Sequence, residues 1–237
     1  MFTNKKIMIV VAHPDDEILG LGATMHRLIN NYNVKTHLLI LGEGITSRSN
    51  KRDLKKWSLE LKTHKKNIME SKKLIGYHSI SINRFPDNRF DSLALLDLIK
   101  FIEEEKKKFN PDIVFTHHHG DLNIDHRRTF EAVITSFRPL QNEKVKMIIT
   151  FETPSSTEWS PFDKMEIFKP NFFFEVTKSD LAIKVKAMEN YFYEKRSYPH
   201  PRSSKSLKVR AQYFGSIIGV KYAEPFCIIR SIEKIAE

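Results

Sequence analysis

Hydrophobic and polar positions along the first 150 residues alternate between two rhythms. Short apolar, strand-like runs predict strands at Lys6 to Ala12, Val34 to Leu41, Ser79 to Arg84, Asp112 to Thr116 and Val145 to Phe151. Longer amphipathic stretches between them predict helices at Asp15 to Asn31, Leu54 to Leu74, Leu93 to Phe109 and Asp125 to Phe137. In the third of these, Leu93, Leu96, Ile99 and Ile102 recur about once per turn, so one stripe is buried and the Glu103 to Lys108 run stays wet. Strand and helix in strict alternation predict an α/β fold, a Rossmann-like parallel sheet flanked by helices.

After Phe151 the rhythm changes. Thr153 to Thr157 is a polar loop, Asn171 to Val176 reads as a strand, and helical stretches cover Leu181 to Lys195 and Leu207 to Ile217. The segment Ser197 to Ser203 carries two prolines and breaks this region into short pieces. Repeats and low-complexity linkers are absent. The expected organisation is one domain over residues 1–237, with a core at 1–152 and a C-terminal α/β cap at 153–237.

Composition narrows the function classes. A hydrophobic content of 41% suffices for a sizeable core. The run Ile7 to Ala12 is too short for a membrane span or a signal-peptide core, so a soluble, cytoplasmic protein is expected. Cys227, the single cysteine, lies in the apolar stretch Phe226 to Ile229 and reads as a buried small hydrophobe. The net charge of +10 would suit a nucleic acid or a phosphorylated substrate. Mixed runs such as Glu103 to Lys108 read instead as solvated helix faces, so no nucleic-acid partner is expected.

Candidate chemistry gathers at strand ends, where open parallel sheets bind ligands. The first strand runs into Ala12-His13-Pro14-Asp15-Asp16-Glu17. Proline suits a first helical turn, and the acidic residues match the positive end of the helix dipole. Helix initiation does not account for His13, which with a carboxylate two or three residues on is able to bind one divalent ion. The fourth strand ends in Thr116-His117-His118-His119-Gly120-Asp121-Leu122-Asn123-Ile124-Asp125-His126. Strands on either side of the reversal in strand order are neighbours, so both clusters would face one crevice. Two histidines and one carboxylate leave coordination positions open, as catalytic zinc sites do.

The pair of motifs His13-Pro14-Asp15-Asp16-Glu17 and Asp121-x-Asn123-x-Asp125-His126 resembles the PIG-L/LmbE-type deacetylases, zinc enzymes that remove acetyl from N-acetylglucosamine-containing substrates. Phe85 to Asp91, Pro154 to Trp159, Tyr198 to Ser203 and Tyr222 to Phe226 are similar to blocks of a bacterial subgroup associated with surface glycans. The resemblance implies a zinc ion on His13, Asp16 and His126, although the same ligands would take other divalent transition metals. It implies Asp15 as general base, with Asp125 and Asp121 orienting their neighbours. Many relatives carry a histidine where this chain has Asn123, an amide that donates a hydrogen bond but no labile proton, so His117, His118 or His119 would supply the acid. Among these His118 is taken as the catalytic candidate. For the substrate, Arg89, His200 and Arg202 are the expected contacts, arginine being suited to carboxylate or phosphate.

The implied substrate is a small N-acetyl sugar, free, lipid-linked or nucleotide-linked, and the charge of +10 would assist capture of the last. A homo-oligomer is left open. Rival readings are weaker. Gly20-Leu21-Gly22 falls inside a helix and no G-x-G-x-x-G is present, against a dinucleotide site. A non-haem iron oxygenase would share the ligand types but would need oxygen. A non-catalytic sugar binder would need no Asp15, and a two-metal phosphoesterase would need more bridging carboxylates.

Overall fold

The computed structural model describes residues 1–161 and 167–233. Its elements run β1 (Lys6–Val11), α1 (Asp16–Asn31), β2 (Lys35–Gly42), α2 (Ser58–Ile75), β3 (Ser79–Phe85), α3 (Leu95–Phe109), β4 (Ile113–His117), α4 (Ile124–Ser136), β5 (Met147–Phe151), β6 (Phe172–Glu175), α5 (Lys178–Asn190), α6 (Ser204–Ile217) and β7 (Ala223–Ser231). Most boundaries fall within a few residues of the expected ones. The start of α2 at Ser58 rather than Leu54 and the ending of α5 at Asn190 rather than Lys195 are the larger differences.

One seven-stranded sheet has the order β3-β2-β1-β4-β5-β7-β6. From β3 to β5 the strands are parallel, as the alternating pattern requires. The C-terminal part adds two strands that make the sheet mixed, because β7 pairs antiparallel with both β5 and β6. The strand at Ala223 to Ser231 is absent from the sequence-based expectation, because Glu224 and Pro225 mask the apolar run. Pro225 lies just past the last pair with β5, Phe151 with Phe226, where a missing N–H is tolerated.

Period two in β1 divides the core. Ile7, Ile9 and Val11 pack with Leu28 of α1 and Val185 and Met188 of α5 on one face. Met8 and Val10 pack with Leu98 and Ile102 of α3 and Val133 of α4 on the other. Covered on both faces, β1 is almost wholly apolar.

Helix α1 is broken at Leu21, whose φ of −147° is not helical. A buried ion pair fills the break. The Glu224 carboxylate accepts from the backbone N–H of Thr24 at 2.7 Å, and Lys184 Nζ donates to the Leu19 carbonyl at 2.7 Å while standing 2.5 Å from Glu224. Gly20 sits at this break against β5, where a Cβ would lie 2.1 Å from the Phe151 ring. The glycine therefore permits close packing of helix on sheet and touches no nucleotide-type loop.

Candidate active site

The strand order reverses beside β1, and the site lies at the carboxyl ends of β1 and β4. Leaving β1, the chain turns sharply through Asp15, whose φ of 108° is strained for a residue with a Cβ. Two carboxylates hold the turn. Asp16 Oδ2 accepts from the His13 N–H at 2.8 Å, and Glu17 Oε2 accepts from the Asp15 N–H at 3.0 Å. Glu17 faces inward, where Tyr191 donates to its Oε1 at 2.6 Å, and burial raises its pKa to about 7 against that hydrogen bond.

This turn brings Asp16 against the start of α4. Asp16 Oδ2 is 3.6 Å from His13 Nδ1, and Asp16 Oδ1 is 3.4 Å from His126 Nε2. One ligand atom from each of His13, Asp16 and His126 lies within 4.8 Å of the others. Asp16 Oδ1 is buried and has no hydrogen-bond partner among the described residues, which is costly for a carboxylate unless a cation fills the gap. The residues present therefore fit a divalent metal.

The outer nitrogens of both histidines meet carboxylates, the arrangement that fixes tautomer and ring orientation in metal sites. Asp125 Oδ2 is 2.9 Å from His13 Nε2, while its Oδ1 accepts from the Phe90 N–H at 2.8 Å. Asp121 Oδ1 is 3.1 Å from His126 Nδ1. Asp121 is itself held by the Ser156 hydroxyl, by the Thr157 hydroxyl at 2.7 Å and by the Asn123 N–H at 2.8 Å. Burial opposes ionisation of Asp121, yet His126 and these hydroxyls keep its pKa well below the usual range.

Asp15 points the other way from Asp16. Burial pushes its carboxyl well above the usual range, despite an Arg202 guanidinium that donates to Oδ2 at 2.9 Å. Arg202 is fixed in turn by the Ser155 hydroxyl at 2.7 Å and by Glu194 at 3.2 Å, and Arg48 donates to the far oxygen of Glu194 at 2.6 Å. The cleft over these groups, about 90 Å³, is lined by His13, Asp15, Arg48, Asp87, Asn123 and Arg202 together with neighbours from the Gly44 and Asn88 turns.

Of the expected residues, the fold thus brings together His13, Asp15, Asp16, Asp121, Asn123, Asp125, His126 and Arg202. Asn123 uses its Oδ1 to cap α4 at the Asp125 N–H (2.8 Å) and its amide to reach Asn88 at 2.9 Å. Three residues lie elsewhere. The His118 ring packs on Phe168 at 5.2 Å and on His119, away from the cleft. Arg89 donates to the Asn50 carbonyl, and His200 packs edge-on against Trp159.

His117, not His118, is the histidine against the candidate metal ligands. Its ring stacks on His126 with centroids 4.0 Å apart. Its Nε2 accepts from the Ala12 N–H at 2.9 Å, which leaves Nδ1 to donate to Thr153 at 3.1 Å. Both nitrogens are spent on structure, and burial lowers its pKa to about 4, so it is a neutral prop rather than an acid. Its position as the last residue of β4 was the signal available. Several further site residues went unrecognised in sequence, among them Arg48 and Glu194, Asp87, 3.4 Å from His13 Nε2, and His64, buried at the cleft wall. Asp87 stands inside the Phe85 to Asp91 block, but His64 sits alone in a lysine-rich helix with no pattern to mark it.

The family described as PIG-L, GlcNAc-PI de-N-acetylase, matches residues 8–137 of the 237. The deacetylase YaiS of Escherichia coli (strain K12) is 27% identical over 192 residues, covering 79% of this chain and 90% of that protein. The N,N'-diacetylchitobiose deacetylase of Pyrococcus horikoshii superposes with a TM-score of 0.74 at 23% identity, covering 95% of this chain and 84% of the other. A conserved protein of Thermus thermophilus also gives 0.74, at 19% identity over 98% of this chain and 97% of its own.

Proposed function

Since the chain belongs to the PIG-L family and is an N-deacetylase, we propose that it hydrolyses the acetamide of an N-acetylated amino sugar at a single divalent metal, with zinc the preferred ion. The observation that carries this reading is the orphaned, buried Oδ1 of Asp16 between His13 and His126, with a separate carboxylate, Asp15, facing the cleft.

His13, Asp16 and His126 would hold the metal, and two histidines with one carboxylate suit zinc while also accepting iron or cobalt. When bound, a divalent ion there lowers the pKa of water and polarises a carbonyl oxygen. Asp15 takes the proton of the attacking water as the water oxygen bonds to the acetyl carbon. Its raised pKa suits a group that must then give that proton up. As the C–N bond breaks, Asp15 passes the proton to the departing nitrogen, leaving acetate and a free amine. Arg202 fixes the Asp15 carboxylate, Glu17 fixes its backbone, and Asp125 and Asp121 keep the two imidazoles aimed.

Among the described residues no helix is long and apolar enough to cross a membrane. The test is acetate release from a panel of N-acetylated sugars, with metal stripped and then restored. Acetate that disappears on stripping and returns with zinc supports the reading. Release of phosphate, or metal-independent acetate, contradicts it.

A further inference from the structure

A second cavity, about 400 Å³, lies beside the cleft and is used by nothing in the proposed chemistry. His64 of α2 lines both. Among the described residues, both ring nitrogens of this buried imidazole lack hydrogen-bond partners. Its ring is held between Tyr191 and Tyr193, at 5.8 and 6.5 Å, so it is fixed in place rather than free to turn out to water. A neutral imidazole offers one donor and one acceptor, here at the join of two cavities.

The charges around the two spaces differ. In the cleft both arginines are spent, Arg202 on Asp15 and Glu194, Arg48 on Glu194. Among the described residues, an anionic substituent on the sugar would find no uncommitted cation there. The second cavity is lined by Lys62, Lys65 and Arg84, whose side chains make no ion pair among the described residues. Its one carboxylate, Glu43, is already neutralised by Arg52 at 2.8 Å through both oxygens. Leu54, Leu61, Ile68 and Ile82 supply an apolar floor.

We propose that this cavity is a subsite for a pyrophosphate-linked extension of the sugar, its negative oxygens met by Lys62, Lys65 and Arg84 and its path from the cleft marked by His64. The inference rests on the deacetylase reading and deepens it by naming the substrate class. A nucleoside and a prenyl chain carry the same linkage, and the apolar floor accepts a flat base or a short chain alike.

The test compares the metal-loaded parent with the Lys62→Ala/Lys65→Ala/Arg84→Ala variant, whose three positions are on the surface. Acetate release is measured from N-acetylglucosamine, UDP-N-acetylglucosamine and a short-chain prenyl pyrophosphate-linked N-acetylglucosamine. Binding of UMP is followed by calorimetry at two salt concentrations. The parent should prefer one or both pyrophosphate sugars in kcat/KM, by at least about tenfold, and the variant should lose most of that preference together with salt-sensitive UMP binding. Preference for the UDP sugar names a nucleotide, and preference for the prenyl sugar names a lipid. Equal preference in parent and variant, or no preference for either pyrophosphate sugar in the parent, overturns the subsite while leaving a deacetylase intact. Acetate from none of the three, with UMP binding lost in the variant, would leave the subsite standing and remove N-acetylglucosamine as the sugar instead.

Discussion

Replacing Lys184 by methionine should destabilise the protein far more than its place on a helix suggests. Lys184 and Glu224 are both buried, and their pair fills the break in α1 that precedes the core-facing turn at Ala23. In Lys184→Met the Glu224 carboxylate keeps the Thr24 and Ala23 N–H groups but loses its only cation among the described residues, and the Leu19 carbonyl loses a donor. Breaking one side of a buried pair costs about 3–5 kcal/mol, because a charge is left uncompensated. For a chain of this size each kcal/mol moves Tm by about 2–4 °C, so a fall of about 6–20 °C is expected. Removing both charges in Lys184→Met/Glu224→Gln should restore part of the loss, since the desolvation penalty goes with the pair. The assay is thermal unfolding followed by circular dichroism at fixed metal concentration, because a ligand that binds only the folded state raises the apparent Tm. A Tm within about 2 °C of the parent for Lys184→Met, or a double variant that loses the full sum of the singles, would refute the reasoning.

Other outcomes follow from the same geometry. Asp121→Asn should weaken metal affinity by about 10–100-fold, read by competition with a chromogenic chelator, because the amide no longer fixes His126 as a carboxylate does. Glu17→Ala leaves the Asp15 N–H and the Tyr191 hydroxyl without acceptors, at about 1–3 kcal/mol each; kcat should fall with metal content unchanged, and Glu17→Gln should recover part of it. Arg202→Ala frees the Asp15 carboxylate and should lower kcat by about 10–100-fold with little change in bound metal measured by atomic absorption. His118→Ala, by contrast, should retain most activity, since its ring lies on Phe168 outside the cleft.

The parallel half of the sheet and its helices were legible because β1, β2, β4 and β5 are buried on both faces and therefore read as largely apolar runs. The last third was not, for a physical reason. Strand β7 carries Glu224 and Pro225 at its start, and its glutamate is needed inside to meet Lys184 and the α1 break, a requirement that exists only after folding. The candidate metal ligands stood out because strand ends and helix starts concentrate ligands at one edge of the sheet. Which histidine of the His117 to His119 run turns inward was not visible. Strand β4 extends through His117, so that ring faces the core and hydrogen-bonds to Ala12 and Thr153, while the next ring is carried to the opposite side. His64 was beyond reach because helix α2 approaches the cleft only through the tertiary packing of Tyr191 and Tyr193.

The central claim is that a metal held by His13, Asp16 and His126 and a separate base, Asp15, together hydrolyse an acetamide. It is tested most directly by Asp15→Asn, compared with the parent at matched metal content, measuring acetate from an N-acetylated sugar that the parent turns over. Full metal loading is expected, with acetate release lowered by at least about 100-fold, the upper range for loss of a general base being ~10⁴-fold. Acetate release close to the parent's, with metal still bound, would contradict it.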